Sequence, residues 1–593
     1  MTSYLSERVD RLPFGSADKS RRYATERYHG ATGLNWYRCD PPLQALMRRH
    51  LSAEGLAWAE PHLERVGALM GGPIAERAEI TDHNPPRLER YDRWGREIST
   101  VVMPPSFEAS RRDLIANSLG APEFRRAALD AGADWLPLAA AENYLLNQAE
   151  IGMACALGTG AAMVERLVEE FAPPEVRDLL HSLLPDGTLV GQTAQLFTER
   201  TGGSDLAAIE TTATPDGDAW RLNGFKWFAS NVNGVAFVVL AKPEGAADAT
   251  RGVAPFLVLR QRRDGARNGV RVRQLKDKLG TKAVASGEVE LIDAEAFLLA
   301  PGASPGNAGG AAGDGRGMAR MMEMTNGARL GIAMMGLGCA RRALVESLCY
   351  ARARDAFGRS LAEHPLMQRK LAELIVEVEA TQLLVFDGFL QPTRLGAPLI
   401  KLRAARLGIT AASDAVEVHG GNGYIETWPV ARILRDAQVN TIWEGPDNIL
   451  CLDVRRAITK ADAHVALLDR VRHAVEHAPG GDDHTVDLVA RAGQRAENAV
   501  ERWRRLDPAT AEARLFPLAQ LLVDAYAGGL LLEHARWEAD TLGTDRKLLM
   551  ARLYARNHLT PGDPLERIDE PAEELERFKD LWDGTLTDDR PAA

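Results

Sequence analysis

The spacing of apolar residues changes twice along this chain. Up to about residue 184 they recur every three to four positions, with loop signals between the runs, which predicts helices. Asn84-Pro85-Pro86 and Trp94-Gly95-Arg96 predict an irregular arm ahead of the first helical bundle. From residue 188 the period shortens. Thr188-Leu189-Val190-Gly191-Gln192-Thr193-Ala194, Thr211-Thr212-Ala213, Ala219-Trp220-Arg221-Leu222 and Val235-Ala236-Phe237-Val238-Val239-Leu240 are short, β-branched segments. Between them Pro215-Asp216-Gly217 and Asn223-Gly224 predict turns. Glu288-Val289-Glu290-Leu291 alternates cleanly and predicts the last strand. Residues 300–317, rich in Gly, Pro and Ala, predict a connector. Helical spacing then returns at 318–350 and 366–390 and persists to the end of the chain.

Helices, then strands, then helices predict a segregated α+β protein. At 593 residues the chain exceeds what one core holds. The boundaries read as an N-terminal arm and helical domain over 1–187, a barrel-like antiparallel β-domain over 188–300, a helical bundle over 317–459 and an appended helical domain over 460–593. No internal repeat of solenoid length is present.

Composition narrows the function. The formal charge of −11 argues against a general nucleic-acid surface, and any phosphate must be held by local arginines. Five cysteines, an odd number without CxxC spacing, fit free thiols in a reducing cytoplasm and neither a disulfide frame nor a zinc site. The opening Met1-Thr2-Ser3-Tyr4-Leu5-Ser6-Glu7-Arg8 has no apolar run of the kind a signal peptide needs. Residues 515–532 come nearest to a membrane span, but Pro517, Gln520 and Asp524 interrupt them and favour a packed helix.

Two short motifs do not survive their context. Gly302-Ala303-Ser304-Pro305-Gly306 fits the G-x-S-x-G of a hydrolase elbow, yet it leads into Asn307-Ala308-Gly309-Gly310, which cannot start the helix that the elbow requires. Gly158-Thr159-Gly160 lacks the third glycine and the βαβ unit of a nicotinamide site.

Three other runs act together. Leu196-Phe197-Thr198-Glu199-Arg200-Thr201-Gly202-Gly203-Ser204-Asp205 comes first, then His419-Gly420-Gly421-Asn422-Gly423-Tyr424, then Thr441-Ile442-Trp443-Glu444-Gly445. A carboxylate beside a glycine suits a catalytic base on a turn, given burial to raise it from its usual value of about 4.3. In this order the runs resemble the flavin-dependent acyl-CoA dehydrogenase family, over roughly residues 82–456.

The resemblance implies FAD as cofactor, an acyl-CoA or other acyl thioester as substrate, an electron acceptor that the sequence does not identify, and a homotetramer. It implies Glu444 as the base for the α-proton, with Ile442 and Trp443 supplying desolvation and the Glu444 N–H helping to hold the thioester carbonyl. Ala328 stands where some members place the glutamate instead. Thr198 and Ser230 would bond the flavin edges, and Phe228 would stack on the ring. Ser204 corresponds to a residue contacting CoA or the flavin diphosphate. Arg354 and Phe357, in Arg-x-x-Phe-Gly, would reach the FAD of a neighbouring subunit. Glu417, Gly420 and Gly421 match the Gln-x-x-Gly-Gly of the family, where a close chain approach requires glycine. Glu417 and Pro446 depart from the usual Gln and Thr or Ser. Arg329 would lie on the CoA side of the cleft.

Tyr91-Asp92-Arg93-Trp94-Gly95-Arg96, Leu275-Lys276-Asp277-Lys278-Leu279-Gly280 and Cys451-Leu452-Asp453-Val454 point to the AidB-like branch. That branch implies an alternative: a flavoprotein with weak dehydrogenase activity and a DNA-binding, protective role. Residues 461–593, however, carry about 17 Lys and Arg against about 26 Asp and Glu, the wrong balance for DNA. The extension is expected instead to pack the oligomer or to cover the mouth of the active site.

Overall fold

The computed structural model describes residues 30–117, 122–246, 252–301, 317–560 and 572–587. The G-x-S-x-G run, the extreme N-terminus and most of the connector lie outside the described residues. Helices α1 (Pro41–His50), α2 (Ala53–Leu69) and α3 (Ala75–His83) precede strands β1 (Arg87–Tyr91) and β2 (Glu97–Val102). Helices α4 (Pro105–Ala116), α5 (Pro122–Asp130), α6 (Trp135–Ala149), α7 (Ile151–Gly158), α8 (Ala161–Phe171) and α9 (Pro174–Leu183) complete the first helical part.

The expected irregular arm is a β-hairpin, with β1 and β2 antiparallel. Its turn chemistry was misread as loop. Asp92 Oδ1 accepts the N–H groups of Trp94 and Arg96, each at 2.9 Å, and Gly95 takes φ +79°, so one tight turn returns the chain onto itself.

The β-domain contains β3 (Thr193–Leu196), β4 (Thr212–Asp216), β5 (Ala219–Ser230), β6 (Ala236–Pro243), β7 (Ala254–Leu259), β8 (Val270–Leu275) and β9 (Ser286–Leu298). Pairing runs β4–β5–β9–β7–β6 and back to β4, closing a ring with β3 on β6 and β8 on β9. Closure leaves those five strands without an open edge. Trp220, Leu222, Phe237, Val239, Phe256, Val258, Val289 and Leu291 belong to the core of this domain.

Two expectations for this domain change. It is not wholly antiparallel: β6 pairs in parallel with both β3 and β4, one after the other along the same strand. And Asn223-Gly224 is not a turn but lies inside β5, where pairing with β9 slips between Leu222 and Gly224. A Cβ on Gly224 would sit 2.3 Å from Thr211 Oγ1, so the close approach at this bulge selects glycine. Strands β7 and β8 lacked a turn signal strong enough to be read in advance.

The second helical part has at its centre α10 (Gly317–Ala353), followed by a small hairpin of β10 (Asp355–Ala356) and β11 (Arg359–Ser360). Then come α11 (Pro365–Leu390), α12 (Gly396–His419), α13 (Pro429–Ala437) and α14 (Asp447–Ala461). The extension comprises α15 (His464–Glu476), α16 (Asp483–Trp503), α17 (Pro508–Ala513), α18 (Leu515–Leu542), α19 (Arg546–Tyr554), α20 (Glu573–Glu576) and α21 (Phe578–Asp583).

Within the protomer the extension docks on the bundle, and one apolar core runs through both. Polar locks cross the same boundary. Glu379 of α11 pairs with Arg546 and Lys547, Asp387 pairs with Arg470, and Glu377 is shared by Arg403 and His558. Helix α18 is long and apolar enough to cross a bilayer, but 72% of its most apolar window is buried inside the protein. It ends at Gly543, whose φ of +66° closes the helix in the left-handed conformation.

Candidate active site

Glu444 sits on the turn between a short 3-10 segment, Gln438–Thr441, and α14. Pro446 caps α14, and its fixed φ suits the approach to a helix. Glu444 and Gly445 both take positive φ, +53° and +100°. A left-handed conformation costs a non-glycine residue roughly 1–2 kcal/mol, so the surroundings must impose it.

Two buried cations do so. Lys401 Nζ of α12 donates to the Gly445 carbonyl at 2.8 Å, and Arg329 Nε of α10 donates to the Glu444 carbonyl at 3.3 Å. Arg329 is anchored in turn by Asp453 at 2.5 Å, and Asp453 also accepts from Arg394 Nη1 at 2.8 Å. Arg329 is 2% exposed. Expected on the CoA side of the cleft, Arg329 is buried and braces the Glu444 turn through its main chain.

The Glu444 carboxylate is half-buried, and burial raises its pKa from the usual range. The Gln195 amide and the charges of Arg329 and Lys401 pull the other way without cancelling that effect. Burial likewise lowers Lys401, to about 8. Desolvation of Glu444 does not come from Ile442, which is 64% exposed; Trp443 does pack against the core. Among the described residues the Glu444 N–H meets no backbone acceptor, leaving a donor beside the carboxylate.

The barrel supplies the facing wall. Gln195, on β3, donates from Nε2 to Glu444 Oε1 at 2.8 Å. Three residues on, the Thr198 carbonyl accepts the Trp227 N–H at 2.9 Å, which ties the chain just past the end of β3 to β5, next to Phe228 in sequence. The next residue pins this loop: buried Glu199 pairs with Lys226 at 2.6 Å. Ser230 Oγ lies 3.3 Å from Ser286 Oγ, which also accepts from Lys278 Nζ at 3.1 Å. Phe228 is 37% exposed. A part-exposed aromatic side chain, with Ser230 two residues on and a Thr198 hydroxyl that has no partner among the described residues, offers the groups that a flat, polar-edged ring needs.

Other expected residues lie at the surface. Ser204 is exposed in its turn. Arg354 is exposed, and Phe357, at the tip of the β10–β11 hairpin, is 98% exposed with φ +52°. Glu417 is exposed and bonded to Lys370 at 2.8 Å. Gly420 needs its φ of +58°, but a Cβ on Gly421 would meet nothing within 4 Å. The close chain approach falls instead at Gly423, where a Cβ would lie 2.3 Å from the Val416 carbonyl oxygen.

Sequence reasoning passed over Gln195, Lys401 and Asp453. Gln195 and Lys401 carry no local signal, because they meet the turn only through the fold; Asp453 stands in the run Cys451-Leu452-Asp453-Val454, but its bond to Arg329 does not show there. His473, Glu476 and His477 form an exposed group of metal-ligand type at the C-terminal end of α15.

Residues 315–459 match the acyl-CoA dehydrogenase C-terminal domain, 194–294 the acyl-CoA dehydrogenase middle domain, and 29–184 the N-terminal domain of the adaptive response protein AidB. The chain is 30% identical to AidB of Escherichia coli (strain K12) over 478 residues, covering 77% of this chain and 84% of that one. Its fold is similar to that of Caenorhabditis elegans ACDH-11 in complex with C11-CoA. The TM-score there is 0.74 at 24% identity, covering 93% of this chain and 95% of that one. It is also similar to an acyl-CoA dehydrogenase complexed with FAD from Bacillus anthracis, with a TM-score of 0.65 at 18% identity, covering 94% and 95%.

Proposed function

Because this chain belongs to the acyl-CoA dehydrogenase family, an oxidoreductase family with FAD as its expected cofactor, we propose that it oxidises an acyl-CoA or related acyl thioester to the 2,3-enoyl form, with Glu444 as the base. The observation that carries this reading is the Glu444 turn: a half-buried carboxylate of raised pKa on a strained turn, held from below and facing the barrel.

Glu444 removes the α-proton of the thioester. Its raised pKa makes it a stronger base than an exposed carboxylate, while leaving it ionised once the pH exceeds that value. The unpartnered Glu444 N–H donates to the thioester carbonyl, where negative charge develops as the proton leaves. Thr198, Phe228 and Ser230 would hold the isoalloxazine ring; FAD, when bound, supplies the acceptor for the β-hydride at N5. Loss of the α-proton to Glu444 and of the β-hydride leaves the 2,3-double bond. Arg329, Lys401 and Asp453 keep the base aimed, and Trp443 limits water around it.

The subunit reading rests on the β10–β11 hairpin. An almost fully exposed phenylalanine in a left-handed turn is costly in a lone protomer, and it makes sense as a contact that Arg354 and Phe357 offer to another copy of the chain. We propose a homotetramer whose cofactor is completed across that contact, with Gly420 and Gly421 at its adenosine end. Anaerobic titration with a panel of acyl thioesters tests the activity. Bleaching of the flavin by at least one of them is expected, and a flavin that none of them reduces would overturn the reading.

A further inference from the structure

The carboxylate of Glu444 has one direct hydrogen-bond donor among the described residues, and that donor belongs to the other domain. Gln195 Nε2 reaches Glu444 Oε1 at 2.8 Å across 249 residues of sequence. Arg329 and Lys401 lie nearby, but their bonds to the turn go to the main-chain carbonyls of Glu444 and Gly445. Asp453 accepts from both Arg329 and Arg394, and Asp447 of α14 accepts from Arg406 at 2.7 Å. Cys155 of α7 is buried and feels the charge of Glu444, and burial pushes its thiol up to about 11.

We propose that Gln195 is a positioning residue for the base, holding the Glu444 carboxylate ionised and turned toward the barrel wall where the substrate's α-carbon is to be met. This rests on the reading of Glu444 as base. A neutral amide suits the task. It favours the charged carboxylate by hydrogen bonding, yet adds no net charge that would make the base too weak. Its own protonation does not change over the working pH, so the strength of the bond does not either. Its position suits the task as well. Gln195 lies on β3, which is bonded to β6 along four residue pairs, and the same strand leads to Thr198 on the wall assigned to the flavin. One short strand thus sets both the base and the ring wall, and fixes their relative placement.

The variant Gln195→Leu removes the donor at nearly equal volume. Without the donor the carboxylate binds its proton more tightly, so the acid limb of the rate of anaerobic flavin reduction is expected to move to higher pH by about one unit. Gln195→Glu puts a second carboxylate against the first and is expected to move the limb further up. A readout independent of turnover comes from infrared spectroscopy of the holoenzyme. The carboxylic-acid band that Glu444→Gln abolishes is expected to persist to higher pH in Gln195→Leu than in the wild type. Gln195→Met serves the same purpose if the leucine variant does not fold.

An unmoved limb and an unmoved band, in a variant that keeps its FAD, overturn the role of Gln195 while leaving Glu444 as base. Full flavin reduction by Glu444→Gln overturns the base itself. The two failures are therefore distinguishable.

Discussion

Arg546 of the extension grips Glu379 of the bundle through both guanidinium nitrogens, at 2.9 and 2.5 Å, where the glutamate is 1% exposed. Lys547 adds a bond at 2.9 Å and the Thr585 hydroxyl another at 2.7 Å. Removing one partner from such a cluster strands buried charge, which typically costs about 3–5 kcal/mol. Glu379→Ala is therefore expected to lower thermal stability and to loosen the extension, measured by melting temperature and by protease sensitivity of the α18–α19 region.

The same glutamate gives a pH dependence. Burial pushes its carboxyl up, but the charges and hydrogen bonds of Arg546 and Lys547 outweigh burial and hold it well below the usual carboxylate range. The folded pKa thus lies below the unfolded value of about 4.3. The stabilisation is fully present above the unfolded value and is lost as the pH falls from there through the folded one. Denaturant unfolding at stepped pH is expected to show wild-type stability falling below about pH 4, and a shallower fall in Glu379→Gln.

Glu444→Gln keeps the side chain's length and removes the carboxylate proposed as base. The rate of flavin reduction by the best thioester is expected to fall on the order of 10²–10⁴-fold with FAD retained. Stopped-flow reduction under anaerobic conditions measures it, and an unchanged rate excludes Glu444.

Asp453→Asn weakens the anchor of Arg329 without touching the base. A base displaced by an ångström can lose on the order of 10²-fold in rate. A drop in kcat at near-constant KM is expected, with wild-type flavin content by absorbance. Loss of KM alone would place Arg329 with the substrate instead.

Arg354→Ala and Phe357→Ala are expected to release FAD on dilution at concentrations where the wild type retains it, because a cofactor completed by a second subunit is lost with assembly. Light scattering with flavin absorbance, over a dilution series, follows both at once. Variants that hold flavin as the wild type does would contradict the shared site.

Duplex DNA is expected not to bind appreciably at about 0.15 M salt, where the Debye length is about 8 Å. The extension is acidic and offers little counterion release. Even its short basic run Arg502-Trp503-Arg504-Arg505 is partly committed, with Trp503 buried and Arg504 paired with Asp462. Fluorescence anisotropy showing tight, steeply salt-sensitive binding would favour the protective role of the AidB-like branch.

The order of helices and strands, and the motifs around Thr198, Gly420 and Glu444, were legible because they are local. Periodicity and turn chemistry depend on neighbours a few residues away, and a glycine beside a glutamate announces a turn wherever it packs. The same local view misread Asn223-Gly224, since a bulge and a turn ask for the same residues, and only the partner strand tells them apart. It also missed the hairpin at Trp94, because Asp92 and Gly95 make the same tight turn in a loop as between two strands.

By itself, the sequence determined the class of fold, and it singled out Glu444, Thr198, Phe228 and Ser230 as candidates for the site. Tertiary structure alone decided what that carboxylate is next to. Arg329 is a buried brace of the Glu444 turn, Gln195 is the partner of Glu444, and the extension is continuous with the bundle through Glu379 and Arg546. Each of these contacts joins residues more than a hundred positions apart, and no periodicity records them. They form because closing the barrel against the bundle brings their side chains together, and because a buried charge must find a partner wherever the fold places one.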